Sequence, residues 1–404
     1  MSQLILFCRQ NSPVFIFLAL LLGSGIFSQL VTTEYAVEGG RQQISIIAKA
    51  LLGLSYLLSF SLLVMHWKVV KERWVGVGSL WILLLLWTVV TVMLGQSNVH
   101  TVVRLIGFMG CTLMGLMLFV CTDSFTQAMK VMFWVCVAII GLNISSIDVS
   151  ILLDISSKNI KGVFYQKNLL GHFSLLMLFV ASFVFVQKHR VYRLASVLSF
   201  IAAAWLLFLS TSMTSNLLFL IAVSAVSASL IIGYYKNGAK VVMILVLLLT
   251  VLLIFNWTDL LALMGKNTTF TGRTFIWSEY WALIQQRPLL GHGYGAYPEQ
   301  ITAWLKLGPH SGYIELVYYI GFIGAAIMVA ITVQMLSNWW YVVKNKSLLF
   351  EVSFLFGFIV IFLALNITET YMLNRSGLFW PLFVYISLQL AWLTKNQQVE
   401  NKTP

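Results

Sequence analysis

Apolar residues in this chain come in long unbroken runs divided by brief polar stretches, unlike the alternating or one-in-3.6 spacing of soluble elements. About 20 apolar residues carry a helix across the hydrocarbon of a bilayer. Runs of that order fall at Pro13–Val31, Ile44–His66, Gly76–Leu94, Val102–Cys121, Gln127–Asn143, Asn168–Gln187, Val191–Leu209, Thr214–Gly233, Ala239–Trp257, Ser311–Leu336, Leu348–Thr368 and Ser376–Thr394. They predict an all-α integral membrane protein of about twelve transmembrane helices, one polytopic domain over 1–404. Gln127–Asn143 is short for a span, and Val191–Leu209 follows its neighbour closely. The first run lacks a small-residue cleavage site, so it is expected to remain as a span rather than leave as a signal peptide.

The polar breaks set an expected orientation, because short cytoplasmic loops carry the excess of Lys and Arg. With both termini cytoplasmic, the inner stretches hold Arg9; Lys68, Lys71 and Arg73; Lys188, Arg190 and Arg193; Lys236 and Lys240; Lys344 and Lys346; Lys395 and Lys402. Only the inner stretch around Asp123 departs from this, and Lys130 stands just inside the run that follows. Composition agrees: 60% of the 404 residues are hydrophobic and 9% are charged, where a soluble domain carries about 25%. The net charge of +12 then reads as membrane topology, with lipids and no nucleic acid as partners. Cys8, Cys111, Cys121 and Cys136 form neither a disulfide framework nor a C-x-x-C metal site.

Candidate chemistry collects on the other face. The stretch 258–310 is its longest loop, and an unstructured loop of that length is unusual, so it should contain short interfacial helices. One is expected over Thr274–Gln286, where Ile276, Tyr280, Leu283 and Ile284 form a stripe that Pro288 ends. A second should begin at Pro298, carry Ile301, Trp304 and Leu305 on one side, and close at Gly308. Trp277, Trp281 and Trp304 suit a headgroup layer. Between the two helices, G-H-G-Y-G (Gly291–Gly295) brings backbone amides within reach of a ligand and can form an anion nest. His310 stands at the mouth of the next span and Glu315 one turn inside it.

Other polar groups on this face have structural readings beside functional ones. Lys167, Asn168 and His172 line the entry to a span, where Asn168 either caps the helix or meets a ligand. The hydroxyl run Leu209–Asn216 either caps a helix through Thr214 or Ser215 or contacts sugar and phosphate. Glu369 and Arg375 flank the last loop as a candidate ion pair, and Arg104 lies near the end of a span, where it either snorkels to the headgroups or joins a lipid-phosphate pocket. No metal-ligand spacing is present. Cations without a metal motif suit a substrate already activated as a pyrophosphate: arginine grips its oxygens, and a neutral histidine takes a proton from an attacking hydroxyl.

The motifs T-G-R-T-F-I-W (Thr271–Trp277), R-P-L-L-G-H-G-Y-G (Arg287–Gly295) and H-S-G-Y-I-E-L (His310–Leu316), followed by an I-G-F-I-G step, resemble the O-antigen ligase and polysaccharide polymerase superfamily. G-V-F-Y-Q-K-N-L-L-G, L-S-T-S-M-T-S and the later T-E-T look more like its exopolysaccharide-polymerase branch. The resemblance covers Gly162 to Arg375 and is most specific over Arg273–Glu315. It implies a multi-pass glycosyltransferase of the bacterial inner membrane, needing no cofactor. Its substrates would be undecaprenyl-pyrophosphate-linked oligosaccharides at the periplasmic face, and a flippase or chain-length regulator is a candidate partner.

Carried over by position, Arg273 and His310 are the expected catalytic residues. Arg287, Lys167, Asn168, Gly291, His292, Gly293, Tyr294, Glu315, Glu369 and Arg375 are the expected substrate-binding ones. Ser311 departs from the family's more usual Asn. Polymerisation of repeat units is the leading activity, with ligation to lipid A core or a protein hydroxyl as the alternative. A transporter would carry charges at mid-membrane on broken helices, whereas these gather at one face. Spacing sets one limit: a straight helix places Arg273 and Arg287 about 21 Å apart, too far to share one pyrophosphate. Either that helix is shorter, or the two arginines serve different substrates.

Overall fold

The computed structural model describes residues 12–27, 37–38, 41–42, 46–95, 98–153, 159–164, 166–187, 189–255, 273–298 and 308–402. Every apolar run contains a helix. In chain order these are α1 (Ser12–Gly23), α2 (Ile46–Met65), a short α3 (Trp67–Glu72), α4 (Gly76–Leu94), α5 (Val99–Cys121), α6 (Phe125–Ser146), a short α7 (Val149–Leu153), α8 (Lys167–Phe185), α9 (Arg190–Ser210), α10 (Met213–Tyr234) and α11 (Gly238–Phe255). After them come α12 (Arg273–Gln286), α13 (Gly312–Val342), α14 (Leu349–Thr368) and α15 (Phe379–Glu400). Among the described residues nine helices are long and apolar enough to cross a membrane, against the twelve spans expected. Helices α1, α11 and α15 coincide with the other three runs. A two-residue antiparallel pairing, Val37–Glu38 with Arg41–Gln42, is the exception to an all-helical chain.

The chain divides into two compact units, each built from three stretches of sequence. The first takes Met1–Val75, Ile106–Ile221 and Asn374–Gln389. Within it α8 is buried along its length and packs against α6 and α9, as expected of a helix that is apolar all round. Small residues on α5 allow close packing: Gly110 lies on the Tyr56 ring, Gly107 against Arg375, and Gly115 against Pro381 and Val384. Polar side chains in this apolar setting turn back on their own helices, as Thr112 does to the Phe108 carbonyl and Asn143 to that of Ile139.

The second unit takes Gly76–Leu105, Ala222–Leu373 and Leu390–Pro404. Its centre is α13, which packs against α4, α12 and α14. This helix is broken at Gly321, where φ is 65° and ψ −177°. A break strands carbonyls on one side and amides on the other, and in hydrocarbon each orphan costs several kcal/mol. Neighbouring groups meet them here. The Phe322 and Ile323 amides donate to the Pro288 and Leu289 carbonyls at 2.8 and 3.4 Å. The Tyr318 and Tyr319 carbonyls accept from the His292 and Gly293 amides at 2.8 and 3.0 Å, and the Trp87 indole reaches the Ile320 carbonyl at 2.9 Å. The Pro288–Gly293 turn is thus built into the broken helix by backbone bonds alone.

Candidate active site

Helix α12 begins one residue before the expected start and keeps the expected end. Its stripe of Ile276, Tyr280 and Ile284 is buried against Tyr318 on α13, with Leu283 packed beside it. Tyr280 and Tyr318 meet edge to face at 5.2 Å. Because α12 is unbroken, Arg273 and Arg287 stand at its opposite ends, and Arg287 is exposed. The shorter-helix alternative is therefore excluded.

At the N-terminal end of α12 three of the candidate residues meet. The Arg273 guanidinium lies 3.6 Å from the Glu369 carboxylate, both largely screened from solvent at 18% and 11% side-chain exposure. The sequence suggests Arg375 as the partner of Glu369; the ion pair among the described residues is with Arg273. Trp277, one turn along α12, donates its indole N–H to the Pro309 carbonyl at 2.9 Å and so ties the turn before α13 to α12. His310 follows in that turn with φ of 45°, a conformation costly for a non-glycine residue and frequent where a site stores strain. The Gly312 amide at the start of α13 donates to the Glu369 carbonyl at 2.9 Å.

The turn carrying Glu369 is itself held from inside. Asn366 on α14 accepts the Tyr371 and Met372 amides at 2.9 and 2.8 Å and donates to the Phe362 carbonyl at 2.7 Å. The Ser311 hydroxyl donates to the Asn366 carbonyl at 3.4 Å. One buried asparagine in N-I-T-E-T was the only trace of this bracket in the sequence.

Burial, and after it the positive charge of Arg273, hold the His310 imidazole below the ordinary histidine range. His310 is thus neutral and able to accept a proton near neutrality. If it acts as the base, the acid limb of the pH–rate profile should fall below about pH 6.5. In Arg273→Gln the limb of the residual activity should move up, because the charge opposing the imidazolium is gone. An unmoved limb would separate the two residues electrostatically.

Three amides of the Gly-rich turn are used within the fold. Its His292 and Gly293 amides are taken by α13, and the Gly291 amide by the Arg287 carbonyl at 2.9 Å. The His292 ring is buried, stacks on Tyr318 at 4.8 Å and donates from Nε2 to the Leu283 carbonyl at 2.8 Å. Tyr294 is buried with its hydroxyl on the Leu373 carbonyl at 2.6 Å. These contacts lock the loop to α12, α13 and the last turn. Glycine here answers to packing: a Cβ on Gly291 would lie 2.6 Å from the Tyr319 carbonyl oxygen and the Gly321 amide.

Arg104 is the residue undervalued in sequence. Its guanidinium lies 4.1 Å over the Tyr297 ring and donates to the Gly295 carbonyl at 2.7 Å. An arginine just inside a span was the available signal, and its partners in this loop were not legible in it. Glu315 lies partly buried one turn inside α13, near Tyr280 and Tyr319. Its charge, after burial, holds the Tyr280 hydroxyl above the usual tyrosine range.

A separate polar cluster lies in the first unit. Lys167 donates to Asn159 Oδ1 at 2.6 Å and Thr211 Oγ1 at 3.2 Å, and Thr211 donates to Asn159 at 3.0 Å. Both acceptors are in left-handed conformations, with φ of 65° and 49°. Gln166, not Asn168, is the N-cap of α8, and Asn168 stands in the first turn. Ser212 precedes α10 in place of the expected Thr214 or Ser215 cap, and its hydroxyl pairs with that of Ser215 at 2.9 Å. Arg375 is placed by its backbone, whose carbonyl accepts the Tyr56 hydroxyl at 2.5 Å. The expected helix between Pro298 and Gly308 lies over residues 299–307, outside the described residues.

Residues 162–329 match the family model described as O-antigen ligase. Over that stretch the chain is similar to O-antigen ligases. No curated protein matches the chain significantly. The matched stretch contains Lys167, Arg273, Arg287, the Gly-rich turn, His310, Glu315 and the break at Gly321; Arg104, Glu369 and Arg375 lie outside it. The similarity supports glycosyl transfer in polysaccharide synthesis. The nearness to the exopolysaccharide branch rests on the sequence motifs alone.

Proposed function

We propose that this protein polymerises lipid-linked repeat units at the periplasmic face of the bacterial inner membrane. The observation that carries this reading is the meeting of Arg273, Glu369 and a neutral His310 beside a span mouth, within and next to the stretch that matches the O-antigen ligase family model. An acceptor sugar hydroxyl attacks the anomeric carbon of the donor glycan. The bond from that carbon to the pyrophosphate oxygen breaks, and undecaprenyl pyrophosphate leaves with the bonding pair. His310 takes the hydroxyl proton, and Arg273 stabilises the charge growing on the pyrophosphate. Arg287, at the far end of α12, serves the second lipid-linked substrate. Basic residues in the opposite loops support the periplasmic orientation.

Ligation to lipid A core or a protein hydroxyl is the second reading, favoured by the printed description of the matching family. Deleting the protein and resolving surface glycans on a gel separates the two. Single repeats on lipid A core are expected for a polymerase, and long chains stranded on the lipid carrier would replace it with the ligase reading.

A further inference from the structure

Glu369 is better placed to compete for Arg273 than to bind sugar. Its backbone is fixed at both ends, the amide on the Leu365 carbonyl at 3.0 Å and the carbonyl on the Gly312 amide at 2.9 Å. With the backbone held in this way, exchanging the carboxylate needs a side-chain rotation and no change in the fold. The 3.6 Å separation from Arg273 is longer than the 2.7–2.9 Å of a tight charge-assisted bond, so the pair is a loose one. A guanidinium this screened from water still requires a counter-charge when no substrate is bound. The carboxylate supplies it, at the position where the mechanism needs a phosphate.

We propose that Glu369 occupies the Arg273 site as an internal anion, and that the pyrophosphate of the lipid-linked substrate displaces it. This rests on Arg273 being the pyrophosphate-binding arginine. When the substrate anion leaves, Glu369 returns, so the site never holds a bare cation and product release is assisted. The carboxylate therefore trades substrate affinity for turnover: a site occupied nine-tenths of the time by its own carboxylate binds an external anion about tenfold more weakly.

The test uses the full-length protein in lipid nanodiscs and inorganic pyrophosphate as the probe, with titration calorimetry on the wild type, Glu369→Gln and Arg273→Gln. Glu369→Gln keeps the side chain's shape and hydrogen-bonding reach but removes the charge. Pyrophosphate should bind it about tenfold more tightly than wild type, and Arg273→Gln should not bind it. In a transfer assay, Glu369→Gln should lower the donor KM and also lower kcat, since release slows. Unchanged or weaker pyrophosphate binding in Glu369→Gln, or no binding in either wild type or Glu369→Gln, would overturn the proposal. The functional reading fails separately: tighter pyrophosphate binding in Glu369→Gln, with no glycan transfer by the wild type, would uphold the internal anion and discard the polymerase.

Discussion

Arg273→Ala and His310→Ala should each reduce glycan transfer by about two to three orders of magnitude while leaving membrane insertion intact. Loss of a general base removes about 10²–10⁴-fold, and loss of one preorganised group facing a developing charge about 10²–10³-fold. Arg273→Ala acts in two ways, since it also leaves the screened Glu369 carboxylate without its partner. Arg273→Lys keeps the charge but not the planar fork, and should recover only part of the activity. The measurement is transfer from lipid-linked oligosaccharide in membrane vesicles, beside the amount of each variant in the membrane. Transfer at the wild-type level from either alanine variant would remove that residue from the mechanism.

Gly321→Leu should lose folded protein rather than chemistry. With ψ of −177°, the φ of 65° lies in a region nearly reserved for glycine and costs another residue about 1–3 kcal/mol, and a Cβ would run into the Leu289 carbonyl. That carbonyl cannot retreat without giving up the Ile323 amide, and the Pro288 bond to Phe322 lies beside it. Each lost bond leaves a buried group unmet at about 1–3 kcal/mol, so the total exceeds about 3 kcal/mol. Thermal unfolding in detergent, followed by size-exclusion chromatography, should show a clear drop. Gly53→Ala on α2, where an added Cβ meets nothing, should be neutral or slightly stabilising. Equal stability of the two variants would mean that the break in α13 carries no load.

The helices were legible because a membrane leaves little choice: backbone groups in hydrocarbon must bond within their own segment, so length and apolarity nearly decide the matter. Helix α12 was legible for another reason, the spacing of Ile276, Tyr280 and Ile284. What was not legible was every contact between distant stretches. Glu369 and Arg273 belong to different motifs, and nothing local distinguishes Arg273 from Arg375 as partner. The packing of the Gly-rich turn was not legible because glycine signals only that something comes close. Here the backbone at Gly321 comes close. The break in α13 left no hydrophobic trace, since I-G-F-I-G stays apolar throughout.

That break also imposes an order on how the protein is made. The Pro288–Gly293 turn leaves the ribosome before the helix whose orphan groups it completes. At 5–20 residues per second the delay is on the order of seconds. During that interval the turn's amides and carbonyls can rest only in the watery layer at the membrane surface, since neither lipid nor an earlier helix offers Tyr318 or Phe322. The proposed site is therefore assembled late, and a chain that stalls before α13 emerges lacks it. On the proposed reading, newly made copies begin transfer only once the membrane domain is nearly complete.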